Sequence, residues 1–297
     1  MITPRRSRRP IVALLTDFGS DDTFVGQMKG ILLGILPEAA IVDLTHQVPA
    51  HNVRAGALAL ETAMDAFPPG TLFLCVVDPG VGSTRLPIVV QASKNLFVAP
   101  DNGLLTPVLR RVDAVARAIS HPLLRRDRVS ATFHGRDLFA VAAGMLGRGF
   151  PFARAGQVVP TPILLHLPEP GISRGEIRGE IVAIDRFGNA ASNIVWSHLQ
   201  QWAAPGRTPE QPATGDGIET VLENASVRCL DIDFGPIQRH YAEVAPGEPI
   251  ALINSAGRLE IAVNQGSATD RGIHIGDAVR VGAATVACAA RRRPSPT

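Results

Sequence analysis

At 297 residues, with 45% apolar and 19% charged side chains, the chain is long enough for two domains of ordinary size and too apolar to be disordered. A formal net charge of +2 argues against a nucleic-acid partner, because much of the base sits in two terminal runs, Arg5-Arg6-Ser7-Arg8-Arg9 and Arg291-Arg292-Arg293. No apolar stretch reaches the roughly 20 residues a membrane helix needs. The run at residues 11–15 is cut off by Asp17, too early for a signal-peptide core, so the expectation is a cytoplasmic protein with no membrane partner. Cys75, Cys229 and Cys288 are widely spaced, without CxxC or zinc spacing, and read as reduced, buried thiols.

In chain order, residues 11–15 predict a buried strand ending at Thr16-Asp17-Phe18-Gly19. Phe24, Met28, Ile31, Leu32 and Ile35 then recur at helical spacing until Pro37. Residues 40–44 predict a second strand, 53–66 a second helix, and 72–77 a third buried strand that ends at Asp78-Pro79-Gly80. Two more strands follow at 88–91 and 96–99, and helices at 104–112 and 138–146. This alternation predicts an α/β domain with a largely parallel sheet over residues 11–168, after a disordered basic tail at 1–10. Four prolines within 160–170 mark a linker. Beyond it, short strands at 177–184, 226–232, 249–254, 259–263 and 278–281 are separated by glycines and turn residues. They predict a smaller all-β barrel domain over 172–285, followed by a basic tail at 286–297. Residues 205–217, rich in proline, glycine and threonine, read as an exposed loop.

Ligands of open α/β sheets bind beyond the carboxyl ends of the strands, and Asp17 and Asp78 stand at two such ends. Each acid also has a plain structural explanation. Asp-Pro-Gly is turn chemistry in itself, and Asp21 suits a helix N-cap as well as a binding role. Other polar groups gather at turns: Thr45-His46, Asp101-Asn102-Gly103, His134-Gly135-Arg136-Asp137 and Asp185-Arg186-Phe187-Gly188-Asn189. The absence of HxxxH, HExxH and CxxC gives a metal site no local support, and the absence of GxGxxG and GxxxxGK[ST] points away from a dinucleotide fold or a P-loop. Pattern alone ends at a two-domain protein with an acidic pocket.

Seven motifs in order carry a more specific likeness. They are Thr16-Asp17-Phe18-Gly19 with Asp21-Asp22; Asp43-Leu44-Thr45-His46; Val77-Asp78-Pro79-Gly80-Val81-Gly82 with Arg85; and Ala99-Pro100-Asp101-Asn102-Gly103-Leu104-Leu105. Thr132-Phe133-His134-Gly135-Arg136-Asp137, Ile184-Asp185-Arg186-Phe187-Gly188-Asn189 and Asn254-Ser255-Ala256-Gly257-Arg258-Leu259-Glu260 complete the set. From about Ile11 to Val281 the chain resembles the SAM hydroxide adenosyltransferase family, the adenosine-forming hydrolases of S-adenosyl-L-methionine (SAM) related to the SAM-dependent fluorinase and chlorinase.

The resemblance implies an N-terminal α/β domain, a C-terminal β-barrel domain, and a homotrimer with active sites at subunit interfaces. It implies hydrolysis of SAM to adenosine and L-methionine, with no cofactor and no metal. The hydrolytic trio maps onto Asp78, Arg85 and His134. Asp17 would hold the ribose hydroxyls, and Asp22 and Ser255 the methionine end. Asp185 and Asn189 would line the nucleoside site, with Glu260 and the backbone near Val263 close to the adenine. The halogenases carry tyrosine at the places of Asp78 and His134, threonine at Val81 and serine at Gly135, which favours water over halide as the nucleophile here. At His51 they stack a tryptophan, so His51 is a candidate wall of the site. Two other readings stay open at this level: a SAM or adenosine sensor without catalysis, and a metal-dependent hydrolase using Asp17, Asp21, Asp22 and Asp78.

Overall fold

In the computed structural model, which describes residues 9–173, 175–203 and 225–283, the first strand is β1 (Ile11–Thr16), buried from Val12 onward. Burial on both faces is the pattern of a strand inside a covered parallel sheet. β1 pairs in parallel with β2 (Ala40–Thr45) on one side and β3 (Leu72–Val76) on the other. β3 pairs in parallel with β5 (Asn95–Pro100). β4 (Pro87–Ala92) lies between β5 and β6 (Val115–Ala118) and runs antiparallel to both. The sheet order is therefore β2-β1-β3-β5-β4-β6, with β4 alone reversed. Its hairpin to β5 turns on Ser93 and Lys94, at φ 49° and 65°. Two left-handed residues in a two-residue loop match the twist of the flanking strands.

Alternate side chains of each strand go to opposite faces of the sheet. Val12 and Leu14 pack with Met28 and Leu32 of α1 (Phe24–Ile35) and with Ala140 and Leu146 of α4 (Ala140–Gly147). Ala13 and Leu15 pack with Leu60 of α2 (Val53–Ala63) and Val108 of α3 (Thr106–Leu109). The helix expected over 104–112 shrinks to one turn, because Gly103 at φ 93° starts it late and the chain leaves the helix after Leu109. The helix expected over 138–146 begins earlier, as a π-helical turn (Gly135–Phe139) that continues into α4.

The described residues divide into two compact units between His166 and Leu167. The proline-rich segment read as a linker is partly fastened to the first unit: Ile163 N–H donates to Asp101 Oδ1 at 2.8 Å and Leu165 N–H to Thr106 Oγ1 at 2.8 Å.

The second unit is built on one sheet in the order β11-β10-β15-β8-β9-β14-β13-β12, with β7 (Gly171–Ile172) paired to β8 (Glu176–Ile184). Its other strands are β9 (Ala190–Val195), β10 (Ala225–Cys229), β11 (Ile232–Gly235), β12 (Ile237–Gln238), β13 (Pro249–Ile253), β14 (Arg258–Val263) and β15 (Ala278–Ala283). Ile177, Ile181, Ile194, Val227, Ile261 and Val279 form its core, closed by Leu199 of α5 (Trp196–Ala203). Cys75 and Cys229 are free, buried thiols, and burial is the main cause that pushes Cys229 up to about 11. Among the described residues no helix is long and apolar enough to cross a membrane. The 205–217 loop, the 286–297 tail, Cys288 and most of the N-terminal tail lie outside the described residues.

Candidate active site

Asp78 follows β3 directly. Its main-chain carbonyl accepts Val81 N–H at 3.2 Å, so the turn expected from Asp-Pro-Gly forms. The side chain does something else. Arg85 Nε donates to Asp78 Oδ1 at 2.9 Å and Oδ2 at 3.0 Å, and Arg85 Nη2 donates to Oδ2. The Asp78 and Arg85 side chains are 4% and 8% exposed, so the pair is desolvated and each charge depends on the other. The guanidinium lies 5.2 Å from the centroid of Phe139, which covers it with an aromatic face.

His134 stands at the start of the π-helical turn, and its Nδ1 is 2.7 Å from Arg85 Nη2. A guanidinium only donates, so Nδ1 accepts and the ring proton of the neutral imidazole sits on Nε2. Burial, then Arg85, pulls the imidazole below its ordinary titration range, while Asp78 and Asp137 oppose the shift. π-helical turns break the regular ladder and are frequent at functional sites.

Asp137 anchors this turn. It is buried, and its carboxylate accepts Arg136 Nε at 2.7 Å, Arg136 Nη2 at 2.8 Å, Ser130 N–H at 2.9 Å and Arg126 Nη1 at 3.3 Å. Chiefly through Arg136, its carboxyl is held down at about 2. Its anchoring role needs Arg126 and Ser130 from the preceding loop beside Arg136 of its own turn, a grouping that no sequence spacing announces.

Thr16 pairs with Val76 across the sheet, so Asp17 and Asp78 leave adjacent strands at the same carboxyl edge. Asp17 Oδ2 accepts His51 N–H at 2.8 Å, and His51 holds a left-handed φ of 65° to deliver it. Asp22 lines an open groove at the start of α1, together with Lys29, Asp43 and His46. Asp21 is not the helix cap: Thr23 occupies that position and makes no side-chain cap bond. The chain bends through Ser20–Thr23 before the helix starts, which leaves Asp21 exposed. Among the described residues no three His, Cys, Asp or Glu side chains are grouped to hold a metal ion.

In the second unit, Asp185 and Asn189 bracket the loop between β8 and β9. Asp185 Oδ1 accepts Phe187 N–H at 2.8 Å and Asn189 N–H at 2.9 Å, and Oδ2 accepts Asn189 Nδ2 at 3.0 Å. Gly188 closes this loop at φ 81°, where a Cβ would fall 2.0 Å from Ser267 Oγ. Phe187 projects from it, 70% exposed.

Tyr241 joins the cluster without any warning from sequence pattern. Its hydroxyl donates to Glu260 Oε1 at 2.6 Å and accepts Asn189 Nδ2 at 3.4 Å. Burial, then the Glu260 carboxylate, raises the phenol well above its usual range. Glu260 is buried, and its second oxygen accepts Asn254 Nδ2 at 3.0 Å. Both carboxylate oxygens therefore serve the loops around them. Ser255 is exposed in the β13–β14 turn, which Asn254 Oδ1 holds by accepting Ala256 N–H at 3.0 Å and Arg258 N–H at 3.1 Å. Val263 is buried at the end of β14, and its carbonyl accepts Gly266 N–H at 3.0 Å.

Residues 12–156 match the family model described as the SAM hydroxide adenosyltransferase N-terminal domain, and residues 179–280 match the one for its C-terminal domain. An (R)-S-adenosyl-L-methionine hydrolase of Salinispora tropica is 36% identical over 280 residues, which covers 92% of this chain and 97% of that one. Another of the same name from Thermus thermophilus is 36% identical over 271 residues, covering 88% and 94%. The crystal structure of an uncharacterized conserved protein from Thermotoga maritima aligns with a TM-score of 0.81 at 34% identity, over 91% of this chain and 99% of that one.

Proposed function

The chain belongs to the SAM hydroxide adenosyltransferase family, and from that premise we infer its reaction: it hydrolyses S-adenosyl-L-methionine to adenosine and L-methionine. The observation that carries the mechanism is the contact of Arg85 with both Asp78 and His134 at the carboxyl edge of the sheet. The leaving group is a neutral thioether, which needs no general acid. The reaction lacks a nucleophile, because bulk water has a pKa of roughly 15.7. In this reading a water lies in line behind the ribose C5′, at roughly 3–3.5 Å. Its oxygen forms the new bond to C5′ while the C5′–S pair goes to sulfur and cancels the sulfonium charge. Arg85 stabilises the negative charge developing on that oxygen. His134 presents Nε2–H as a donor, since its Nδ1 lone pair is taken by Arg85. The charge on the water oxygen is negative because the water gives up its proton to Asp78 as the new bond forms, and Asp78 afterwards releases the proton to solvent.

Asp17 holds the ribose hydroxyls in this reading, and Asp22 and Ser255 the methionine end. Asp185 and Asn189 border the nucleoside, with Phe187 and Tyr241 offering aromatic surface beside them. Glu260 and Val263 support the adenine side from behind. We take residues 11–168 and 172–285 as the two domains and the second as a barrel. The working form is a cytoplasmic homotrimer, each site completed by a neighbouring subunit. The test is to incubate the purified protein with SAM and resolve the products by chromatography. Equimolar adenosine and methionine are expected; binding without turnover overturns the reading.

A further inference from the structure

The Asp43-Leu44-Thr45-His46 segment has no part in the reaction as written above, yet its side chains are built into the strand end that carries Asp17. Thr16, the last residue of β1, is fully buried. Its hydroxyl oxygen lies 2.8 Å from His46 Nδ1 and accepts Phe18 N–H at 3.3 Å. His46 Nε2 stands 3.0 Å from Asp43 Oδ1, an ion-pair contact that falls short of a hydrogen bond. Asp43 Oδ2 accepts Lys29 Nζ at 2.6 Å.

A ring nitrogen beside a carboxylate oxygen carries a proton, because facing lone pairs repel. With the proton on Nε2, Nδ1 of the neutral ring is the acceptor and the Thr16 hydroxyl its donor. The remaining lone pairs of Thr16 Oγ1 are then turned to the Phe18 amide. The result is a polar chain, Lys29–Asp43–His46–Thr16–Phe18, that spans Asp17 and fixes the residue on either side of it. The main chain adds a second tie, from Gly19 N–H to His46 O at 2.7 Å. From the opposite side His51 N–H holds Asp17 Oδ2. Among the described residues Asp17 Oδ1 has no hydrogen-bond partner.

We propose that His46 is a positioning residue: through Thr16 it locks the Asp17 turn so that the carboxylate meets the ribose hydroxyls of the substrate. The proposal rests on the reading of Asp17 as the ribose ligand. A carboxylate that binds two hydroxyls at once must be held to within roughly 0.5 Å, and the buried Thr16 hydroxyl, bonded both to His46 Nδ1 and to the Phe18 amide, supplies that rigidity. A histidine serving only the fold would affect ligands with and without those hydroxyls alike.

The experiment compares binding of adenosine and 2′,3′-dideoxyadenosine by calorimetry, in the wild type, Asp17→Ala, His46→Phe and His46→Asn. The wild type and His46→Asn are expected to prefer adenosine, because the asparagine amide oxygen still accepts the Thr16 hydroxyl in the place of Nδ1. His46→Phe keeps the ring volume and loses both contacts. Its adenosine affinity is expected to fall about tenfold, the worth of one hydrogen bond at the upper end of the usual range, with the dideoxy affinity unchanged. Thr16→Val breaks the same chain, carries the same expectation, and stands in if His46→Phe does not fold. A preference for adenosine retained in His46→Phe or Thr16→Val, beside one lost in Asp17→Ala, overturns the proposal alone. Equal binding of the two nucleosides by the wild type overturns the reading of Asp17, and the proposal with it.

Discussion

Arg85 donates to His134 Nδ1 across 2.7 Å, and that one contact decides which nitrogen of the neutral imidazole carries the proton. The nitrogen with the lone pair is occupied, so the ring offers a proton and accepts none in its neutral form.

Glutamine carries an amide N–H near the position of Nε2 and has no basic nitrogen. His134→Gln is therefore expected to retain turnover within about tenfold of the wild type, while His134→Ala loses roughly a hundredfold or more, as removal of a fixed donor does elsewhere. The acid limb of turnover is expected below pH 6.5, because burial and Arg85 hold the imidazole under its ordinary value. The glutamine variant should lack that limb. Steady-state adenosine release across pH measures both, and a glutamine variant as inactive as the alanine one would show that the ring works as the base.

Asp78→Asn keeps the shape and removes the charge opposite a guanidinium that is 8% exposed. Turnover is expected to fall by about a thousandfold, within the range seen when a positioned proton acceptor is lost. Unpairing a buried ion is expected to lower stability by about 3–5 kcal/mol. Urea titration with calorimetric binding of SAM separates the two effects, since affinity should change only a few-fold.

Asp137 ties stability to acid. Its carboxyl is held down at about 2 in the folded chain, against 3.8 for a free aspartate. A carboxyl whose folded value is depressed stabilises the fold above its unfolded value and ceases to do so as pH falls through the folded one. The difference amounts to roughly 2 kcal/mol. The stability gap between the wild type and Asp137→Asn should thus be constant above about pH 5 and shrink by that amount toward pH 2. Denaturation midpoints over that interval test it, and a gap independent of pH would refute the assignment.

Tyr241 is the only tyrosine in the chain, so its phenol is a clean optical reporter. Burial and the Glu260 carboxylate hold its ionisation well above the usual value of about 10. In Glu260→Gln the negative neighbour is gone, and the phenolate should form at lower pH. Ultraviolet difference titration reads this directly; identical curves would mean that the two groups are not coupled.

The parts of the fold legible in the sequence are those whose burial is uniform or periodic. β1 and β3 read as strands because nearly every residue is apolar, and α1 because Met28 and Leu32 recur at helical spacing. β6 is not legible in the sequence, because Val115 is exposed and Arg117 breaks the apolar run. α5 leaves no periodic signal, because Leu199 is its only buried residue. The candidate site was legible only through ordered motifs. Asp78, Arg85 and His134 are 7 and 49 positions apart along the chain, and no local pattern links such residues. Tyr241 gives no signal at all, since a lone tyrosine opening a three-residue helical turn has no periodicity, and its partner Glu260 is fixed by strand register.

The reversal of β4 has a consequence for the chemistry. The register pairs Pro87 with Pro100, so β4 enters the sheet at the edge where β5 leaves it and where β3 delivers Asp78. Arg85, two residues before that entry, is therefore returned to the acid it left seven positions earlier. Had this segment run with its neighbours, the guanidinium would start from the far rim, about 17–20 Å away. A single strand laid backwards turns a short loop into the cradle that holds a carboxylate and a guanidinium together.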